Sequence, residues 1–286
     1  MTSSRLELVP SAGMTLDRQD LQGIGIASST PFVSDVGAVT DEARHVEQLG
    51  FTMLWRSGVL PMVEAAVEAT ERIPIGTGII QVSTVPADDV LTTYRRLRRD
   101  HPGRFVVGLG GAHDDHPFRT LGAYLDALDA EDLPAGDRVL AALGPKMQQV
   151  AHDRARGAYS YLVTPDYVID ARARLGDDHL VAVLLMTIAS TDLHVVRRAA
   201  SEPLAFLTGV GGYRSNLLRL GFTEDDIDGV SDRLLDGIAA WGDPEAIGER
   251  IAEYRAAGAD QVVLRILDLD GDMAATRERL ARTLLR

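Results

Sequence analysis

Cysteine is absent from the 286 residues. That excludes disulfides, thiolate nucleophiles, iron–sulfur clusters and the usual structural zinc sites. Basic charge is short as well. The 29 Lys and Arg against 42 Asp and Glu leave a net charge of −13, which argues against nucleic acid and anionic membrane as partners. No apolar run is long enough to span a bilayer. Met1 to Asp20 contain no apolar h-region, so no secretory signal is expected and the cytoplasm is the expected location. No low-complexity linker divides the chain, and one domain covering 1–286 is expected, with 1–20 as an N-terminal extension.

What is there reads as an ordinary soluble composition. Hydrophobic residues make up 45% and charged residues 25%, over a length that buries a sizeable core. Apolar runs rich in Val, Ile and Leu recur, with amphipathic charged stretches between them. The expected strands are Leu21–Ser28, Phe51–Ser57, Ile73–Val82, Arg104–Gly111, Arg138–Leu143, Tyr159–Val163, Leu180–Thr187 and Gln261–Leu267. Between them the apolar spacing is helical, as in Val36, Val39, Ala43, Val46 and Leu49. Glycine closes three of the helices just before a strand, at Gly50, Gly157 and Gly258. Eight such units predict a (β/α)8 TIM barrel. The stretch from Thr191 to Asp260 is about three times the length of a normal βα unit. It predicts an extended helical crossover before the last strand, solvated as a spacer, near the barrel mouth, or at a contact with a second copy of the chain.

The most informative segment is Gly103 to His113. Its apolar run suits a strand covered on both faces and ends in Gly108-Leu109-Gly110-Gly111, ahead of polar side chains. Glycines at a strand exit let backbone approach a ligand, or simply make a tight turn. The other strand ends carry few strong acids or bases and many backbone, hydroxyl and amide groups. Such a lining suits a large pre-made reagent better than hydrolysis by the protein's own side chains. Gly144-Pro145 reads as a helix start whose free N–H groups can hold a phosphate, or as plain helix initiation. Trp55 walls a planar ring or fills the barrel top. His113-Asp114-Asp115-His116 could hold a metal, but adjacent ligands on one loop seldom converge and no second cluster appears, so no metal is expected. Gly23-Ile24-Gly25 and Gly76-Thr77-Gly78 lie inside strands and are not a dinucleotide fingerprint.

Taken together, these segments resemble the luciferase-like flavin and deazaflavin oxidoreductase family, in particular its coenzyme F420-dependent branch. The matching residues run from Leu49-Gly50-Phe51 to Trp55, through Arg72 to Ile79, Pro102 to Gly110 and Val139 to Met147. They continue with Gly157-Ala158, Tyr161 to Pro165, Leu217 to Phe222 and Trp241 to Pro244. The resemblance implies a barrel with F420, or alternatively FMN, at its mouth. It implies a non-proline cis peptide at Gly78–Ile79 behind the ring, close approach of the tricycle at Gly110 and Gly111, and phosphate on the backbone of Ala142, Leu143 and Gly144, with Thr164 beside them. Trp55 would frame the ring, and His113 would manage a proton of a small-molecule substrate. Many relatives carry an acid or histidine after the second-strand Trp, where this chain has Arg56-Ser57-Gly58, and Val85 to Val90 lack a basic residue. The implied activity is hydride transfer between deazaflavin and an organic substrate. The alternatives are an FMN-dependent monooxygenase, a non-catalytic flavin-binding member, and a metal-dependent barrel hydrolase on His113, Asp115 and His116.

Overall fold

Every strand pairing is parallel among the described residues, as expected for runs that are apolar on both faces. The computed structural model describes residues 16, 18–29, 35–112, 114–210, 212–267 and 272–285. The strands are β1 (Gly23–Ala27), β2 (Leu54–Arg56), β3 (Ile75–Thr77), β4 (Ile80–Gln81), β5 (Phe105–Gly110), β6 (Arg138–Ala141), β7 (Gly157–Tyr161), β8 (Leu180–Ile188), β9 (Ala239–Trp241) and β10 (Gln261–Ile266). Leaving aside β4 and β9, eight strands follow one another around a ring, and β10 closes it by pairing with both β8 and β1. This is the (β/α)8 barrel that the sequence predicts.

The helices are α1 (Val36–Leu49), α2 (Leu60–Glu68), α3 (Ala87–Asp100), α4 (Pro117–Ala130), α5 (Pro145–Arg154) and α6 (Pro165–Leu175). They continue with α7 (Leu193–Thr208), α8 (Tyr213–Arg219), α9 (Glu224–Asp228), α10 (Asp232–Ile238), α11 (Pro244–Ala256) and α12 (Met273–Leu284). Local chemistry sets their ends. Asp35 caps α1 by accepting from Gly37 N at 2.8 Å, and Gly50 ends it at φ 89°. Val39, Ala43 and Val46 on its inner stripe are buried in the layer between helices and barrel. None of the described helices is long and apolar enough to cross a membrane.

Gly157, expected to close a helix, instead opens β7 after α5 has ended at Arg154, and three further details depart from the sequence reading. Arg18–Leu21 forms a 3-10 turn, so the first strand starts at Gly23, and Leu21 packs fully buried among the residues inside the barrel. The third strand, expected to run unbroken from Ile73 to Val82, is interrupted at the Gly78–Ile79 cis peptide that the resemblance implies, which separates β3 from β4. The long crossover is helical as expected, but between α10 and α11 it contains β9, which pairs with Met186–Ile188 of β8 beyond the point where β7 stops. Three residues, two of them alanine, leave no alternation for a sequence reading to detect. The crossover has its own core, with Leu204, Leu217, Phe222, Leu234 and Ile238 packed on Met186 and Ile188 at the top of β8. Of the 1–20 extension, only residues 16 and 18–20 are described; Leu16 packs against the inner cluster and Arg18 pairs with Asp260.

Candidate active site

Strand alternation decides what faces the inside of the barrel. Matching registers put Ala27, Trp55 and Gly76 at one level, and Ala141 level with Tyr159. Trp55, Tyr159, Met53, Val106, Val139, Ala182 and Val263 form one packed inner cluster. The Trp55 indole stacks on the Tyr159 ring with centroids 4.3 Å apart and 11° between planes. Its Nε1 donates to Gln261 Oε1 at 2.8 Å, and Gln261 Nε2 donates to Leu21 O at 2.6 Å. Trp55 is 1% exposed, so in this structure it fills the lumen and does not line an open surface. Room for it comes from Gly76, where a Cβ would stand 2.8 Å from the indole. One level up, a Cβ on Gly78 would stand 3.0 Å from the Tyr159 ring, so Tyr159 rather than Trp55 underlies the mouth.

The exit of the third strand is built as a bulge. β3 pairs with β5 as Gly76↔Val106, while β4 pairs with the same strand as Ile80↔Leu109, so one extra residue is accommodated between them. Thr77 bridges the gap: its Oγ1 donates to Gly108 O at 2.9 Å and accepts from Gly108 N at 2.7 Å. The Gly78–Ile79 peptide is thereby turned outward, with Gly78 exposed and Ile79 half-buried. Gly110 is buried, and a Cβ there would stand 2.6 Å from Ile79 Cδ1 and 2.8 Å from Ala141 Cβ. Its missing side chain thus makes room for the chain's own Ile79. Gly111 has φ 72° and lies against Gln81, half-buried at the rim.

The loop between β6 and α5 is pinned from below and open above. Ala142 O accepts from Ser160 Oγ at 2.8 Å and from Tyr167 OH at 2.6 Å. Gly144 is the N-cap of α5 and makes no side-chain capping bond, and a Cβ on it would meet nothing within 4 Å. Pro145 supplies the first helical residue. The adjoining α6 starts the same way, with Thr164 accepting from Tyr167 N at 3.3 Å ahead of Pro165. The crossover reaches this loop through α8: Arg219 donates to Leu143 O at 3.1 Å and to Asn216 Oδ1. Asn216 is 1% exposed and its Nδ2 has no partner among the described residues.

The titratable groups divide between the outer wall and the mouth. Arg56 follows Trp55 and therefore faces outward, where it bonds Glu42 of α1 at 3.0 Å. Glu42 also accepts from Arg277 of α12 at 3.1 Å and from Ser29 N at 2.9 Å. Burial would raise the Glu42 carboxyl, but hydrogen bonds from Ser28 and Ser29 and the Arg277 charge hold it below its ordinary value. The charge after the second-strand tryptophan is thus part of a buried ion network. Asp114 accepts from Thr120 Oγ1 and His116 N, which occupies the acidic loop in starting α4. Among the described residues no three His, Asp or Glu come together as a metal site. His113 lies outside the described residues.

Four mouth residues are given no role by the sequence reading: Tyr159, Tyr161, Tyr213 and Arg265. Tyr161 meets Tyr213 of α8 edge to face, with centroids 6.3 Å apart. Burial pushes the Tyr159 and Tyr161 phenols well above their ordinary range, and the nearby Arg265 charge pulls the other way. Arg265 shares a face of β10 with Gln261 and Val263, and its Nη1 donates to Ser28 O at 2.7 Å. A lone charge inside the apolar run Val262-Val263-Leu264-Arg265-Ile266 was the signal available for it.

The architecture can be compared with solved structures. A coenzyme F420-dependent tetrahydromethanopterin reductase from Methanopyrus kandleri superposes with a TM-score of 0.71 at 16% identity, covering 92% of this chain and 98% of that one. The chain has the same fold. An F420-dependent secondary alcohol dehydrogenase in complex with an F420–acetone adduct gives a TM-score of 0.68 at 15% identity, over 92% of this chain and 98% of that one. The oxygenating constituent of 3,6-diketocamphane monooxygenase from Pseudomonas putida, in complex with FMN, gives 0.63 at 13% identity, over 92% and 97%. No family model matches the sequence, and no curated protein matches it closely.

Proposed function

We propose that this chain is an oxidoreductase that binds the deazaflavin F420 at the barrel mouth and exchanges a hydride between it and an organic substrate. The observation that carries the reading is the cradle at Gly144. A rigid carbonyl at Ala142, open space where a side chain would be, and two adjacent proline-started helices fit a phosphate held on backbone N–H groups. Its likeness in fold to proteins that use F420 or FMN supports the same reading.

When bound, the cofactor supplies the hydride chemistry. The chain's own residues supply the rest. Leu143, Gly144 and Thr164 hold the phosphate end, Gly78, Ile79 and Gly111 border the ring, and Tyr159 supports it from inside the barrel. Trp55 acts one layer deeper, fixing Tyr159 by stacking. Tyr161, kept protonated by burial, is a proton donor facing the substrate, with His113 as the second candidate. FMN chemistry with oxygen is the second reading, favoured by the fold shared with the FMN-bound monooxygenase constituent. The test is co-elution: apoprotein mixed with F420 or with FMN is passed over a desalting column. Retention of F420 supports the reading, retention of FMN alone favours the second one, and release of both overturns the oxidoreductase reading.

A further inference from the structure

We propose that Arg265 forms an anion subsite at the mouth, so that the substrate carries a carboxylate or a similar planar oxyanion. The inference rests on the oxidoreductase reading for the word substrate; the subsite itself stands on geometry. Arg265 follows Gln261 and Val263 along the inner face of β10 and is only half-buried at the top of the lumen. Among the described residues its one hydrogen-bond partner is the neutral carbonyl of Ser28, at 2.7 Å, and it makes no ion pair. At the same end of the barrel Arg56 and Arg277 both pair with Glu42, whereas Arg219, like Arg265, meets only neutral acceptors among the described residues.

The neighbours of Arg265 sharpen the inference. Register and alternation put Ala27, Gly78, Gly110, Ala141, Tyr161 and Met186 on the lumen side near it, and none of them is acidic. Tyr161 and Tyr159 add phenolic O–H groups that stay protonated, and neither has a hydrogen-bond partner among the described residues. A protein with 42 acidic and 29 basic residues thus places a guanidinium beside two phenol donors with no carboxylate paired to it among the described residues. A guanidinium fork matches a carboxylate in shape and charge, and low local dielectric strengthens the pairing.

An anion at this site could belong to the substrate or to the cofactor, and the experiment separates the two. The probes are benzoate and its neutral analogue benzamide, titrated calorimetrically into the apoprotein, with F420 and FMN titrated in parallel. Benzoate binding should weaken about tenfold in Arg265→Met and less in Arg265→Lys, with benzamide unchanged. Tyr161→Phe, which removes a hydroxyl without disturbing a protein contact, should weaken benzoate severalfold and gives the answer if Arg265→Met does not fold. Cofactor affinity should stay the same in all variants. Absence of benzoate binding to the wild type, or binding indifferent to Arg265 and Tyr161, overturns the proposal. Loss of cofactor affinity in Arg265→Met with benzoate unaffected assigns the charge to the cofactor and also overturns it. Arg265-dependent benzoate binding in a protein that takes up neither F420 nor FMN would leave the subsite standing and remove the oxidoreductase reading.

Discussion

Trp55 and Tyr159 stack at 4.3 Å across the inside of the barrel, joining β2 to β7 through the lumen, and the indole N–H is anchored on Gln261. This pair is the packed floor beneath the mouth. Trp55→Ala would empty a fully buried site and leave Gln261 Oε1 without its donor. The expected loss is about 3–5 kcal/mol in chemical denaturation. A loss below about 1 kcal/mol would mean that the lumen collapses around the gap and that the stack is not structural.

Tyr159→Phe should behave oppositely. The phenol has no hydrogen-bond partner among the described residues, so its removal should cost under about 1 kcal/mol of stability. Cofactor affinity should fall if the hydroxyl faces the ring, as its 3.1 Å approach to a Cβ position on Gly78 suggests. Stability and binding measured on the same preparation separate the two effects.

The eight strands were legible because apolar runs are local signals, helped by Gly50 and Gly258, which take positive φ just after their helices. Gly144-Pro145 was legible for the same reason, since a helix start is written in two residues. The fate of Trp55 and Gly110 was not. Whether an aromatic fills a lumen or lines a mouth depends on what stands across the barrel, and here Tyr159 and Gly76 come from strands far away in sequence. Arg56 was equally opaque: its partners Glu42 and Arg277 are brought to it by α1 and α12. Arg265 could have been found by counting alternate residues from Gln261.

The Glu42 network predicts a pH dependence. Glu42 has a folded pKa below its ordinary value of 4.5, so its contribution is fully present above that value and is lost as pH falls through the folded one. Glu42→Gln would leave Arg56 and Arg277 buried against a neutral amide and should cost about 3–5 kcal/mol near neutrality. The gap between variant and wild type should close as the pH is lowered past the carboxyl's titration. Denaturation midpoints between neutral and acid pH check this, and a gap independent of pH would contradict it.

Gly144→Asp tests the cradle. Open space around Gly144 and its φ of −88° accept the side chain, and aspartate is a good N-cap for α5. The fold should survive with unchanged or slightly higher stability. A negative charge placed where phosphate is to sit should lower cofactor affinity at least about tenfold, roughly 1.4 kcal/mol. Unchanged affinity in a folded variant would move the phosphate elsewhere.

The most direct measurement is a fluorescence titration of the purified apoprotein with F420 and, separately, with FMN. The account predicts saturable binding of F420 that is at least about tenfold tighter than that of FMN, a gap of about 1.4 kcal/mol. Equal affinity, or tight binding of FMN alone, would contradict the deazaflavin assignment, and no saturable binding of either would contradict the oxidoreductase itself.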